Sequence, residues 1–150
     1  MRPGVRLGVD VGSVRVGVAR SDPAGTLAVP ETTLQRGSGD LAALAALVTD
    51  CDALEVLVGL PIGLDGREGA AAGLARQYAE ELAVLVSPVP VRLVDERFTT
   101  TQAHRDLRAA GRNSRRRRTL VDQTAAAIIV QHALDAERAT GAPPGTILQR

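Results

Sequence analysis

Leu7-Gly8-Val9-Asp10-Val11-Gly12-Ser13-Val14-Arg15-Val16-Gly17-Val18-Ala19 is the stretch whose reading decides the fold. Val5, Leu7, Val9 and Val11 alternate with Arg6, Gly8, Asp10 and Gly12; Val14, Val16 and Val18 then alternate with Arg15, Gly17 and Ala19. Period-2 alternation of β-branched residues reads as strand, so two antiparallel strands are expected, joined by a two-residue turn at Gly12-Ser13. Asp10 falls inside the first strand, where Asp is depleted and a lone buried charge is costly. It must be paired, hydrogen-bonded or metal-bound. Gly8 and Gly12 flank it on its own face, a pattern expected where a ligand or a backbone comes close. A turn at Gly12-Ser13 would set Arg15 directly opposite Asp10, so a structural ion pair is the competing explanation.

Outward from this hairpin, a third strand is expected over 26–33, with Pro30 pushing its end towards a sheet edge. Asp40 is placed to cap a helix that carries Leu41, Leu44, Ala45 and Val48 on one face. The apolar run Leu54 to Val58 reads as a buried parallel strand, followed by a loop from Gly59 to Gly66. A helix over 70–86, a strand over 89–95 and a helix over 101–110 ending at Gly111 come next. A last helix covers 120–138. Three antiparallel strands followed by strand–helix alternation predict an α/β domain over 1–139, a mixed five-stranded sheet with helices on both faces. Residues 140–150 are expected as a mobile tail.

At 150 residues with 45% hydrophobic content, one domain with a real core is expected. Tyr78 and Phe98 are its only aromatics, so the core is aliphatic and base-stacking platforms are scarce. One cysteine, Cys51, suits a reducing compartment. Without a signal-like leader or an apolar run of membrane length, the chain is expected to be soluble and cytoplasmic. The net charge of +1 conceals an asymmetry. Residues 97–118 hold eight arginines and the single acid Asp106, a net of +7, leaving −6 for the rest. Such a segment is the electrostatic footprint expected for a polyanion.

Two further acids stand out. Glu96 ends the last strand, where ligands of open α/β sheets bind, and alternation sends Glu96 and Asp95 to opposite faces. Asp122 precedes an almost wholly apolar helix; with Thr119 it fits a capping box, which is its bland explanation. Together with Asp10 they make an all-carboxylate set, suited to Mg²⁺ or Mn²⁺. Two such ions would serve phosphodiester hydrolysis. His104 and His132 have no Cys or His neighbour at metal-binding spacing.

Four segments in order, Gly8 to Ala19, Val58 to Gly66, Asp95 to Thr100 and Val121 to Ala126, resemble the motifs of the YqgF or RuvX family, also called Holliday-junction-resolvase-like. The resemblance spans roughly Arg6 to Leu134. It implies a ribonuclease H-like fold with Asp10, Glu96 and Asp122 as the catalytic and metal-binding acids. It also implies a bacterial nuclease that processes the 5′ end of precursor 16S ribosomal RNA, some members being associated instead with resolving four-way DNA junctions. Arg115 to Arg118 lie where relatives carry a basic loop. Arg112, Arg115, Arg116, Arg117 and Arg118 are therefore expected to grip phosphates, Arg being suited to bidentate contact.

Rival classes remain at this point. Asp-x-Gly-Ser before a second strand also resembles the phosphate hairpin of actin-like ATPases and sugar kinases, which generally need two such domains. A Walker A loop is excluded, because no lysine exists in the chain. A non-catalytic RNA-binding ribosome-assembly factor with the same fold is the other alternative. The sequence leaves RNA against DNA, and monomer against homodimer, open.

Overall fold

The computed structural model describes residues 1–37, 39–96 and 115–148, of which 115–120 are described in backbone only. The helix expected over 101–110, together with Arg112 and His104, lies outside the described residues.

Strands β1 (Arg6–Val11) and β2 (Arg15–Ser21) form the expected hairpin, but its turn comes one residue later. The Gly12 N–H donates to the Arg15 carbonyl at 2.9 Å, leaving Ser13 and Val14 as the turn. Asp10 therefore faces Gly17 across the ladder, not Arg15. Strand β3 (Ala28–Gln35) is one edge of the sheet. Val18 pairs with Thr32 and Ala19 with Pro30, so Glu31 is the extra residue of a bulge. Pro30 sits beside this bulge on an edge strand, where a missing N–H is tolerated.

Helix α1 (Asp40–Asp50) follows, with Gly39 rather than Asp40 at its cap position. The Asp40 carboxylate instead accepts the Gly37 N–H at 2.9 Å and the Tyr78 hydroxyl at 2.8 Å. Strand β4 (Glu55–Leu60) is buried throughout and runs parallel to both β1 and β5 (Val91–Asp95), as its continuous apolar run requires. Helix α2 (Ala70–Val86) spans the expected residues. Helix α3 (Arg115–Thr140) starts five residues before the expected boundary, so Arg115 to Arg118 have helical backbone rather than forming a loop. Asp122 is thus the eighth residue of α3 and not part of an N-terminal capping box. The sheet has six strands, not five, in the order β3-β2-β1-β4-β5-β6. The sixth, β6 (Thr146–Ile147), comes from the segment expected as a tail and pairs antiparallel with β5.

Alternation then sorts the strands into two faces. Leu7, Val9, Val16, Val18, Val56 and Val58 pack beneath α1 and α2. The opposite face carries Ala19, Leu57 and Val94 beneath Ala126, Ile129 and Val130 of α3. Helices on both faces are as expected, and the second face holds the candidate acids.

Candidate catalytic site

On the α3 face, small residues let a helix descend onto the sheet. A Cβ on Gly17 would run into the main-chain carbonyl of Asp122, and one on Gly8 into the Val130 side chain. Gly8 therefore serves close helix packing, and Gly12 the turn, where a Cβ would stand 2.7 Å from the Arg15 carbonyl oxygen. Both glycines thus meet a close approach of the protein's own atoms, the second of the two explanations expected from the sequence.

Gly17 is opposite Asp10, and one step further along the parallel β1–β4 register Asp10 lies level with Gly59. Asp10 is thus the middle of a row, with a glycine on each neighbouring strand at about 5 Å. Each glycine sits under another acid. Asp122 lies over Gly17, its own Cβ 3.1 Å from where a Gly17 Cβ would be. Glu96 lies over Gly59, where a Cβ would stand 2.7 Å from its carboxyl carbon. The Glu96 N–H donates to the Leu60 carbonyl at 3.1 Å, carrying the ladder one residue past β5. Asp95 is exposed, so the opposed orientations expected for Asp95 and Glu96 hold. Asp10, Glu96 and Asp122 are 2%, 1% and 2% exposed. Burying three carboxylates on one row is unfavourable unless counter-charge or donors meet them.

One counter-charge is Arg15. Its Nε donates to Asp122 Oδ2 at 2.7 Å, with the arginine side chain 23% exposed. With the turn one residue later than expected from the sequence, Arg15 meets Asp122 rather than standing opposite Asp10. The hairpin beneath it is fixed from outside. The Arg36 N–H donates to the Val14 carbonyl at 2.9 Å and its Nη1 to the Gly12 carbonyl at 3.2 Å. Arg36 in turn stacks over the Tyr78 ring, 5.2 Å from its centroid. Burial, and then the hydrogen bond to Asp40, push the Tyr78 phenol well above its ordinary pKa. Burial opposes ionisation of Asp40, but the Tyr78 and Gly37 hydrogen bonds outweigh it and hold the carboxyl below its usual range.

The segment after β4 is a small hairpin closed by an Ile62–Glu68 bridge, with the Asp65 carboxylate accepting the Arg67 N–H at 3.0 Å. Asp65 and Gly66 are thus turn formers, Gly66 having a φ of 83°. Leu64 is 78% exposed at this loop, beyond the carboxyl end of β4. His132 is exposed on α3, as a helix-surface residue.

The donor chemistry, three carboxylates without sulfur or imidazole, fits a hard divalent cation. Among the described residues, however, no group of three His, Cys, Asp or Glu side chains is close enough to hold one. The acids are brought to one row without converging, and Arg15 stands on one of them. No helix among the described residues is long and apolar enough to cross a membrane.

Residues 4–136 match the RuvX family, described as Holliday junction resolvase. A protein of Nocardioides sp. is 55% identical, with 99% of each chain covered. One of Thermobifida fusca is 52% identical over 99% of this chain and 98% of its own, and one of Frankia casuarinae 59% identical over 93% and 70%. All three are named for a proposed pre-16S rRNA nuclease activity. Among solved structures, Thermus thermophilus RuvC in complex with a Holliday junction substrate superposes with a TM-score of 0.58 at 18% identity, covering 97% of this chain and 99% of that one. A second Thermus thermophilus RuvC structure gives 0.54 at 17% identity, covering 96% and 99%. These agree with the ribonuclease H-like fold expected from the sequence. The chain belongs to the RuvX family.

Proposed function

We propose that this chain is a divalent-metal-dependent nuclease that hydrolyses phosphodiester bonds of structured RNA, processing the 5′ end of precursor 16S ribosomal RNA in the cytoplasm. The observation that carries the reading is the buried row in which Asp10 lies between Gly17, covered by Asp122, and Gly59, covered by Glu96. The names of the relatives supply the substrate.

Asp10, Glu96 and Asp122 would hold Mg²⁺ or Mn²⁺, Asp10 as the central donor of the three. When bound, such ions supply Lewis acidity for the attack of water on phosphorus and the departure of the leaving oxygen. The chain's own part is to place oxygen donors. Gly17 and Gly59 omit side chains where Asp122 and Glu96 must sit, and the packed sheet excludes bulk water from beneath them. Arg112 and Arg115 to Arg118 would grip substrate phosphates. Positions 115 and 118 lie seven and four residues before Asp122 in one helix, on the same stripe of its surface.

A four-way DNA junction is the second reading, supported by the description of the matched family. The deciding experiment compares wild type with Asp10→Asn on a labelled precursor 16S RNA 5′ segment and a four-way junction, each with Mg²⁺, Mn²⁺ or chelator. Metal-dependent cleavage of the RNA, lost in the variant, is expected. Cleavage confined to the junction selects the resolvase. Binding of RNA without cleavage in any metal would overturn the nuclease reading in favour of an assembly factor.

A further inference from the structure

Gly59 brings the Val58 to Gly66 segment beside the acids, but the hairpin that follows it takes no part in their row. Most of its residues have a structural reason. The Gly66 N–H donates to the Gly63 carbonyl at 2.8 Å, and the Gly63 N–H to the Arg67 carbonyl at 2.9 Å. That is a three-residue loop, Leu64-Asp65-Gly66, closed by a glycine in the left-handed region. Gly63 leaves room for Asp65, since a Cβ there would stand 2.8 Å from Asp65 Oδ1. Ile62 packs against the core. Glu68 accepts Arg76 Nε and Nη2 at 2.6 Å each, a two-point fork that ties the second limb to α2. Leu64 and Arg67 have no such reason. Leu64 is the most exposed large apolar side chain among the described residues. The Arg67 side chain is 89% exposed, its Nε 3.7 Å from Asp65 Oδ2, too long for a hydrogen bond. We propose that this braced tip contacts the substrate: Leu64 packs on the face of a base where an RNA helix is interrupted, and Arg67 meets a phosphate beside it. The inference rests on the RNA-directed reading above.

A single exposed leucine is ordinary on a protein surface. What sets Leu64 apart is its place. Strand β4 runs parallel to β1 and β5, so the carboxyl ends of all three share one end of the sheet, where ligands of open α/β sheets bind. Leu64 is five residues beyond Gly59, the position that Glu96 covers, and five residues span at most about 18 Å. The β1–β2 turn at the same end carries a second apolar tip, Val14, 51% exposed. The stem below Leu64 is fixed by the Ile62–Glu68 bridge and the Arg76 fork, so little ordering cost remains for binding. An uninterrupted A-form helix gives a leucine nothing to pack on, because each base face is covered by its neighbour. At an end, bulge or junction an apolar base face is open. Tyr78 is buried, so among the described residues no aromatic ring is free to stack there. An aliphatic side chain set against a base step is the chemistry this end of the sheet offers. The guanidinium three residues on supplies the charge that the neighbouring phosphate requires.

The test follows binding of the full chain to a precursor 16S RNA 5′ segment carrying 2-aminopurine at a helix interruption, and to an uninterrupted RNA duplex. Chelator is present in the binding assays, so that contact is read apart from cleavage. Wild type should raise the 2-aminopurine fluorescence as the base exchanges a stacked neighbour for an aliphatic side chain. Leu64→Ser should abolish that rise and weaken binding to the interrupted helix about tenfold, leaving the uninterrupted duplex unaffected. Leu64→Met should restore both. The urea midpoint should be the same in all three, because the side chain is exposed. Arg67→Gln should weaken binding to both RNAs alike and reduce the salt slope by about one. Unchanged fluorescence and affinity in Leu64→Ser, with metal-dependent RNA cleavage by wild type, overturns the base contact and leaves the nuclease reading standing. An unchanged salt slope in Arg67→Gln overturns the phosphate contact. A fluorescence rise that Leu64→Ser abolishes, without cleavage in any metal, upholds the base contact and overturns the nuclease reading. A response confined to a four-way DNA junction overturns the RNA assignment.

Discussion

Helix α3 carries two buried carboxylates, Asp122 and Glu137, and arginines reach both, but the two ends of the helix are built differently. Glu137 is engaged on both oxygens. It accepts the Arg2 N–H and Nε at 3.1 Å on Oε2, Arg2 Nη2 at 2.8 Å on Oε1, and Arg6 Nη2 at 3.3–3.4 Å. Arg2 Nη2 also reaches Glu55 at 2.6 Å, which Arg92 meets from β5, so the network ties the N-terminus to three elements. The Arg2 hydrogen bond, above all, holds the Glu137 carboxyl at about 2 despite the opposing effect of burial. Asp122 meets a half-buried arginine beside the hairpin turn, Arg15 Nε donating to its Oδ2 at 2.7 Å. Location matches construction. Glu137 meets Arg6 and the Arg2–Glu55 pair at the amino ends of β1 and β4, whereas Asp122 is level with Asp10 near the carboxyl end of β1. Ligands of open α/β sheets bind at that second end. A buried carboxylate is therefore no indicator of a site by itself; the strand end it faces separates a brace from a binding group.

The contrast breaks most visibly if Glu137 is altered. Glu137→Gln strands Arg6 in a dry environment and should cost about 3–5 kcal/mol of stability in urea unfolding, with cleavage per folded molecule retained at low temperature. The carboxyl is depressed from 4.5 to about 2, so its stabilisation is complete above pH 4.5 and disappears as pH falls towards 2. Wild type should lose stability through that window, and the variant should show a shallower acid limb. An unaltered acid limb would remove Glu137 from the role of brace.

Asp122→Asn should do the reverse. Metal-dependent cleavage should fall roughly a hundredfold or more, while the urea midpoint moves far less than in Glu137→Gln. Equal loss of stability in both variants would erase the distinction between the two ends. Gly17→Ala sharpens it from the sheet side. Its Cβ meets the Asp122 carbonyl, so α3 must lift locally, at about 1–3 kcal/mol, with cleavage reduced as Asp122 leaves the row. The smallest expected effect is the control, Gly73→Ala in α2. Nothing lies within 4 Å of that Cβ, and the site is an exposed helix interior. It should stabilise by about 0.5–1 kcal/mol with cleavage unchanged, since alanine loses less backbone entropy than glycine in a helix.

Much of this was legible in the residues. Continuous burial of β4 follows from its apolar run, the limits of α2 from its periodicity, and the presence of Asp10 inside a strand marked its sheet face as the one to inspect. The opposed orientations of Asp95 and Glu96 follow from alternation alone. The start of α3 was missed because the arginine run has no apolar periodicity to reveal a helix, although arginine is itself a good helix former. Strand β6 was missed because two residues, Thr146 and Ile147, are too short to show a period.

The hairpin register marks the boundary between the two kinds of information. Pairing Asp10 with Arg15 or with Gly17 differs by two residues on β2, and a shift of two leaves every valine on the same face. The hydrophobic pattern is therefore blind to the choice. The sequence by itself determined the order of strands and helices, the two faces of the sheet and the burial of Asp10, because those depend on periodicity and local propensity. Tertiary structure alone decided the register, and through it that Arg15 meets Asp122, because only the seating of α3 on Gly17 and the hold of Arg36 on the turn distinguish pairings that bury the same apolar surface.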